Sequence, residues 1–198
     1  MSAPRLRGYI EALPAGLASY EACTVKASVT RLFYEGFGSP SLDHTVPSAI
    51  KQLVEDPPPV SVFVSQVLSH ATFLAMGDAL GYSDEQMVAR ARELNASLML
   101  GPMYRVLFAF VSPERLLRHV PTRWEAFHRG TSVTIDAVGP TSCKASMLMP
   151  AHCSNELLSS MHLTALEVAL EAAGAKSVEA RLEQATPMVA RFSATWRR

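Results

Sequence analysis

The sequence predicts an α+β protein, a helical bundle packed on a four-stranded antiparallel sheet. Three observations predict it. Apolar residues recur at helical spacing through the middle of the chain. At Gly130 the apolar period switches to two. The alternating segments beyond Gly130 fall into two pairs separated by one helical run, and the resulting β-β-α-β-β order behind a bundle suits an antiparallel sheet with helices on one face.

The predicted organisation is one domain, 1–198. It has an irregular, partly helical N-terminal segment (1–58), a helical half (60–129) and a sheet-plus-helix half (130–198). About 55 residues of mixed pattern would make a marginal domain alone, so 1–58 is read as part of the whole. Within it, Val25, Val29, Leu32 and Phe33 share a helical face that Gly36-Phe-Gly-Ser-Pro40 ends. Pro47 opens a short helix carrying Ile50 and Leu53. Pro57-Pro58-Pro59 imposes an extended connector.

Ser61 is the expected N-cap of a helix running to about Ala79, with Gly81 as its stop. Ser83-Asp-Glu-Gln86 is a capping-box signature for the next helix, which carries Met87, Ala91, Leu94 and Leu98. Met103–Val111 is apolar nearly all round and reads as a buried helix. Ser112-Pro113-Glu114 supplies a cap, a first-turn proline and a first-turn acid. Pro121 is expected to start a separate short helix with Trp124 and Phe127. Val133, Ile135 and Ala137 mark one strand, and Cys143, Ala145, Met147 and Met149 the next. Ser154 is the expected cap of a helix to about Ala173, stopped by Gly174. Val178, Ala180 and Leu182, then Ala190, Phe192, Ala194 and Trp196, complete the sheet.

Composition narrows the function classes. Eighteen basic residues balance eighteen acidic ones, so no global field draws the chain to nucleic acid, and the Arg5/Arg7 and Arg197/Arg198 ends are too small a footprint. Neutrality gives little protection against self-association, which predicts a protein partner or a homo-oligomer. No apolar run is long enough to span a membrane. Three cysteines without CxxC spacing read as reduced thiols in a cytoplasmic protein.

Catalytic templates are absent: there is no GxSxG, phosphate loop, GxGxxG or HExxH. No catalytic residue and no metal ligand is predicted. Cys143, His152, Cys153 and His162 are chemically able to bind zinc, but their spacings do not suit one ion. His70 sits on an apolar helix, where it reads either as an axial haem ligand or, the commoner case, as a satisfied core group. His128 and Arg129 read as helix-end cations or as an anion grip. His162 lies at the edge of an apolar face shared by Leu157, Leu158, Met161, Ala165 and Val168. It reads as a core histidine bonded to a carbonyl, or as a pocket-lining one. The methionines suit an adaptable apolar cavity or ordinary core filling.

Three segments carry a resemblance: GPMYRVLFAFVSPERLLRHVPTRWEAFHRGT, MHLTALEVALEAAG and VEARLEQATPMVARFSATW. In order and spacing they resemble an uncharacterised paralogous family of myxobacterial proteins of about this length, best over residues 83–198. More distantly, the layout is similar to vinyl-reductase-type small-molecule-binding domains. The haem–nitric-oxide-binding and Bet3-type folds share it. The resemblance implies helices on an antiparallel sheet, an apolar internal pocket and a sensory or adaptor role. Haem-sensor relatives carry a Tyr-x-Ser-x-Arg signature that this chain lacks, which counts against haem.

The expected function is therefore a non-enzymatic, cytoplasmic small-molecule-binding or signalling adaptor with no obligate cofactor. Its apolar ligand would lie between helix 154–173, the sheet and helix 103–111, against Phe108, Trp124, Met147, Met149, Met161 and His162. The alternatives are an interaction module that forms an oligomer and a haem- or metal-dependent sensor.

Overall fold

The computed structural model describes residues 3–38, 40–101 and 111–198. The expected helix 103–111 and Phe108 lie outside the described residues. In chain order the elements are α1 (Pro4–Ala12), a 3₁₀ turn (Gly16–Ala18), β1 (Thr24–Lys26), α2 (Ala27–Gly36), α3 (Ser48–Glu55), β2 (Phe63–Ser65) and α4 (Gln66–Leu80). There follow α5 (Asp84–Met99), α6 (Pro113–Phe127), β3 (His128–Arg129), β4 (Ser132–Gly139) and β5 (Ser142–Leu148). The chain closes with α7 (Glu156–Ala172), β6 (Lys176–Ala185) and β7 (Val189–Arg197). The α+β class is as expected. No described helix is long and apolar enough to cross a membrane.

The main sheet has strand order β4-β5-β7-β6, antiparallel throughout. Its register sets small against large on the covered face: Ala145 lies opposite Phe192, and Met147 opposite Ala190. That pairing lets one bulky side chain fill the space left by each alanine. The helical layer buries this face through α7, which packs on β6 and on α5, while α6 lies along β4.

Helix α4 is the centre of the other half. Every residue from Ser69 to Gly77 is buried, because small or apolar side chains on all sides leave no polar face for water. It ends in the left-handed Gly81, with the Tyr82 N–H donating to the Gly77 carbonyl. Helix α1 has no cap of its own. Asp78 of α4 supplies one, accepting from the Arg5 and Leu6 amides at 3.1 and 3.2 Å while its other oxygen holds the Arg5 guanidinium at 2.9 Å.

Four boundaries differ from the sequence reading. Residues 63–65 are a strand, so the cap of α4 is Ser65 and not Ser61; its hydroxyl accepts from the Leu68 amide. Pro121 lies inside α6 instead of starting a new helix. The cap of α7 is Asn155, not Ser154. Helix α2 begins at Ala27 because Thr24, Val25 and Lys26 pair as β1 with β2 and with β3.

That small sheet, in order β2-β1-β3, was not expected from the sequence. Gly130 makes it possible. Its φ is +71°, and a Cβ there would stand 2.9 Å from both the Ala22 carbonyl oxygen and the Cys23 Cα. Both obstacles are backbone, which cannot swing aside. Gly130→Ala should destabilise the protein by about 1–3 kcal/mol, read as a lower midpoint in urea unfolding.

Candidate functional site

Where the small sheet meets α4, α6 and α7, three histidines are brought into one buried cluster. His70 comes from the middle of α4, His128 from β3 and His162 from α7. The His70 and His162 ring centroids are 5.5 Å apart. Trp124 on α6 lies flat against His128, with centroids 3.7 Å apart and planes within 6°. Its indole N–H donates to Thr131 Oγ1 at 2.9 Å.

Gln66 organises the group. Its amide nitrogen is 2.6 Å from His70 Nε2, and its Oε1 is 3.1 Å from His128 Nδ1. His70 Nδ1 lies 2.7 Å from the Cys153 carbonyl. A carbonyl only accepts, so His70 carries its proton on Nδ1, and Nε2 accepts from the Gln66 amide. The Gln66 oxygen then accepts from His128 Nδ1–H. Every one of these imidazoles is held neutral: burial, with His162 nearby, pushes His70 down to about 3. Burial, then His162 and His70, does the same to His128. Burial also lowers His162.

The three differ in what they leave open. His70 is 1% exposed and has both ring nitrogens committed. The axial-ligand reading of His70 is therefore corrected: it is a satisfied core group. His162 Nδ1 donates to the Leu158 carbonyl at 2.7 Å, which fixes the ring, and Nε2 has no hydrogen-bond partner among the described residues. The side chain keeps accessible surface even though burial depresses its basicity.

The other expected pocket residues divide. Trp124 touches His162, with ring centroids at 5.9 Å, so the structure brings these two together. Met147, Met149 and Met161 are buried members of the large core cluster. The helix-end reading of His128 is overturned, since β3 pairing carries the ring into the core; Arg129 instead stacks over Phe63 at 3.9 Å. Of the zinc-capable set, Cys143 lies in a second core cluster with Leu117, Leu170 and Trp196, apart from Cys153. Among the described residues no group of three His, Cys, Asp or Glu is placed to hold a metal.

Sequence reasoning missed Gln66, Tyr9 and the Cys23–Cys153 contact. Tyr9 OH donates to the Cys153 carbonyl at 2.8 Å. Gln66 and His70 are four apart on one helix, a spacing at which side chains meet, and that was the one available signal. A separate surface cavity of about 360 Å³ lies between α1 and the start of α7, lined by Arg5, Tyr9, Asp84, His152 and Glu156 among others. None of the expected pocket residues lines it.

A family model described as a protein of unknown function (DUF2378) matches residues 68–197. No curated protein matches the chain. Several solved structures do. The Fe(II) unliganded H-NOX protein from K. algicida aligns at a TM-score of 0.57 and 11% identity, covering 87% of this chain and 97% of that one. A mutant H-NOX from T. tengcongensis aligns at 0.57 and 9%, covering 87% and 98%. An oxygen-binding H-NOX domain related to soluble guanylate cyclases aligns at 0.56 and 9%, covering 87% and 95%. At these identities the likeness establishes a shared fold.

Two outcomes are expected of the cluster. Unfolded histidines titrate near 6.5, whereas His70 and His128 do so at about 3 in the folded protein. Below about pH 6.5 the unfolded chain binds more protons, so stability is complete above that value and is lost as pH falls toward 3. Urea midpoints that stay constant through this window would contradict the neutral network. Gln66→Leu strands His70 Nε2 and His128 Nδ1, and should cost about 1–3 kcal/mol in the same assay.

Proposed function

The chain belongs to the DUF2378 family, and from that membership and its H-NOX-like fold we propose that it is a small-molecule sensor domain whose ligand sits against His162. The observation that carries this reading is the state of His162. Its ring is oriented by the Leu158 carbonyl, neutral and partly accessible, and its Nε2 has no partner among the described residues. Trp124 and His128 add a flat aromatic wall beside it. Pockets that bind small molecules combine apolar walls with a few fixed polar groups, and the cluster has that composition.

Haem is the ligand class to test first. A metal-binding histidine typically donates its second N–H to a carbonyl or carboxylate, which fixes the tautomer and leaves Nε2 free; His162 has that arrangement. When bound, haem would supply an iron able to take a gas molecule or exchange an electron. His162 would hold the iron, and Trp124 would pack against the ring system. The donor set fits the iron ligand.

The test is a haemin titration of the purified protein followed by visible absorbance. A saturable, shifted Soret band is expected, abolished in His162→Ala and kept in His152→Ala, which alters an exposed histidine. A small molecule released on denaturing the protein, without a haem spectrum, would support the sensor reading and eliminate haem. If no haem spectrum forms and no small molecule is released, the sensor reading is overturned.

A further inference from the structure

Cys23 and Cys153 are 130 positions apart in sequence, yet their sulfurs are 3.7 Å from one another. Both thiols are free. They are 1% and 0% exposed, and the Tyr9 hydroxyl also stands beside the Cys153 thiol. Two non-glycine residues with left-handed backbone stand close by: Tyr20 (φ 59°), whose carbonyl accepts from the Cys23 amide at 2.7 Å, and His152 (φ 62°), which precedes Cys153. Such conformations persist where the surroundings over-determine them, and they cluster at functional sites.

We propose that Cys23 and Cys153 are a reversible thiol–disulfide pair that responds to hydroperoxide oxidants. The Cys23 sulfur attacks a peroxide oxygen; the O–O bond breaks, water leaves, and Cys23 becomes a sulfenic acid. The Cys153 sulfur then attacks Cys23, forming the S–S bond and releasing a second water. In sum, two thiols and hydrogen peroxide give one disulfide and two waters. Two electrons and two protons leave the thiols. Either sulfur can be the donor in this contact; the proposed order takes Cys153 as donor, which favours ionisation at Cys23 and opposes it at Cys153.

The consequence reaches the histidine cluster. A disulfide is about 2.05 Å long, so the sulfurs must approach by roughly 1.7 Å. The Cys23 carbonyl accepts from the Gln66 amide at 2.9 Å, and the Cys153 carbonyl accepts from His70 Nδ1. The two backbone groups that hold Gln66 and His70 therefore belong to the two residues that would move. Closure should also staple the segment before β1 to the loop between β5 and α7. This proposal stands on the thiols alone and does not depend on which ligand, if any, His162 holds.

The experiment treats the full-length wild-type protein with hydrogen peroxide, alkylates it under denaturing conditions and weighs it. Untreated protein takes three alkyl groups, one for each cysteine. Treated protein should take one, at Cys143, and should yield a peptide pair linked through Cys23 and Cys153 that dithiothreitol separates. Three groups after treatment, or a link that includes Cys143, would overturn the proposal. The order of attack is read with dimedone: the Cys153→Ser protein should be labelled at Cys23. Labelling at Cys153 in Cys23→Ser, with none at Cys23 in Cys153→Ser, would reverse it. The wild-type measurement remains decisive if either variant fails to fold.

Discussion

The interior of this protein depends on one side-chain amide. Gln66, 3% exposed, uses its nitrogen on His70 and its oxygen on His128, and its backbone N–H on the Cys23 carbonyl. A buried amide left unpaired costs roughly as much as a lost hydrogen bond, and two facing imidazoles would be stranded with it. The Cys153 carbonyl fixes the His70 proton on Nδ1, and the amide, with one donor end and one acceptor end, carries that choice to His128. Gln66 also ties the start of α4 to β3 and to the segment before β1, three regions distant in sequence.

The neutral histidines follow from that geometry. Three imidazoles packed together can share a core only if none is charged, and burial supplies that condition. Once His70 and His128 are engaged with Gln66, the roles separate: two histidines hold the core together, and His162 Nε2 has no hydrogen-bond partner among the described residues. The Cys23–Cys153 contact sits behind the same network, sharing backbone carbonyls with it. Packing, proton placement and thiol chemistry therefore converge on the junction of the small sheet with α4 and α7.

Fold likeness to H-NOX domains does not by itself transfer chemistry, since one fold hosts many functions. What can be weighed is whether this chain's own residues suit a bound group. His70, the histidine with the most apolar surroundings in sequence, is closed off. His162, partly accessible and without an Nε2 partner among the described residues, is the one whose hydrogen bonding matches a ligating imidazole.

Much of the architecture was written locally. The change of period at Gly130, the Ser83–Gln86 capping box and the stops at Gly81 and Gly174 each act within a few residues, so the α+β class and most element limits could be read directly. The strands β1, β2 and β3 are two or three residues long, too short to show a period, and they exist only because they pair with one another. Helix α1 has Pro4 as its first residue, but its cap is Asp78, more than seventy residues away, and no local signal marks that contact. The site shows the same division. Its residue types were visible, and His162 and Trp124 were picked out by helical position and composition. Which histidine would be satisfied and which left open was decided by Gln66, Leu158 and Cys153, whose polar atoms meet the rings only after distant segments have packed.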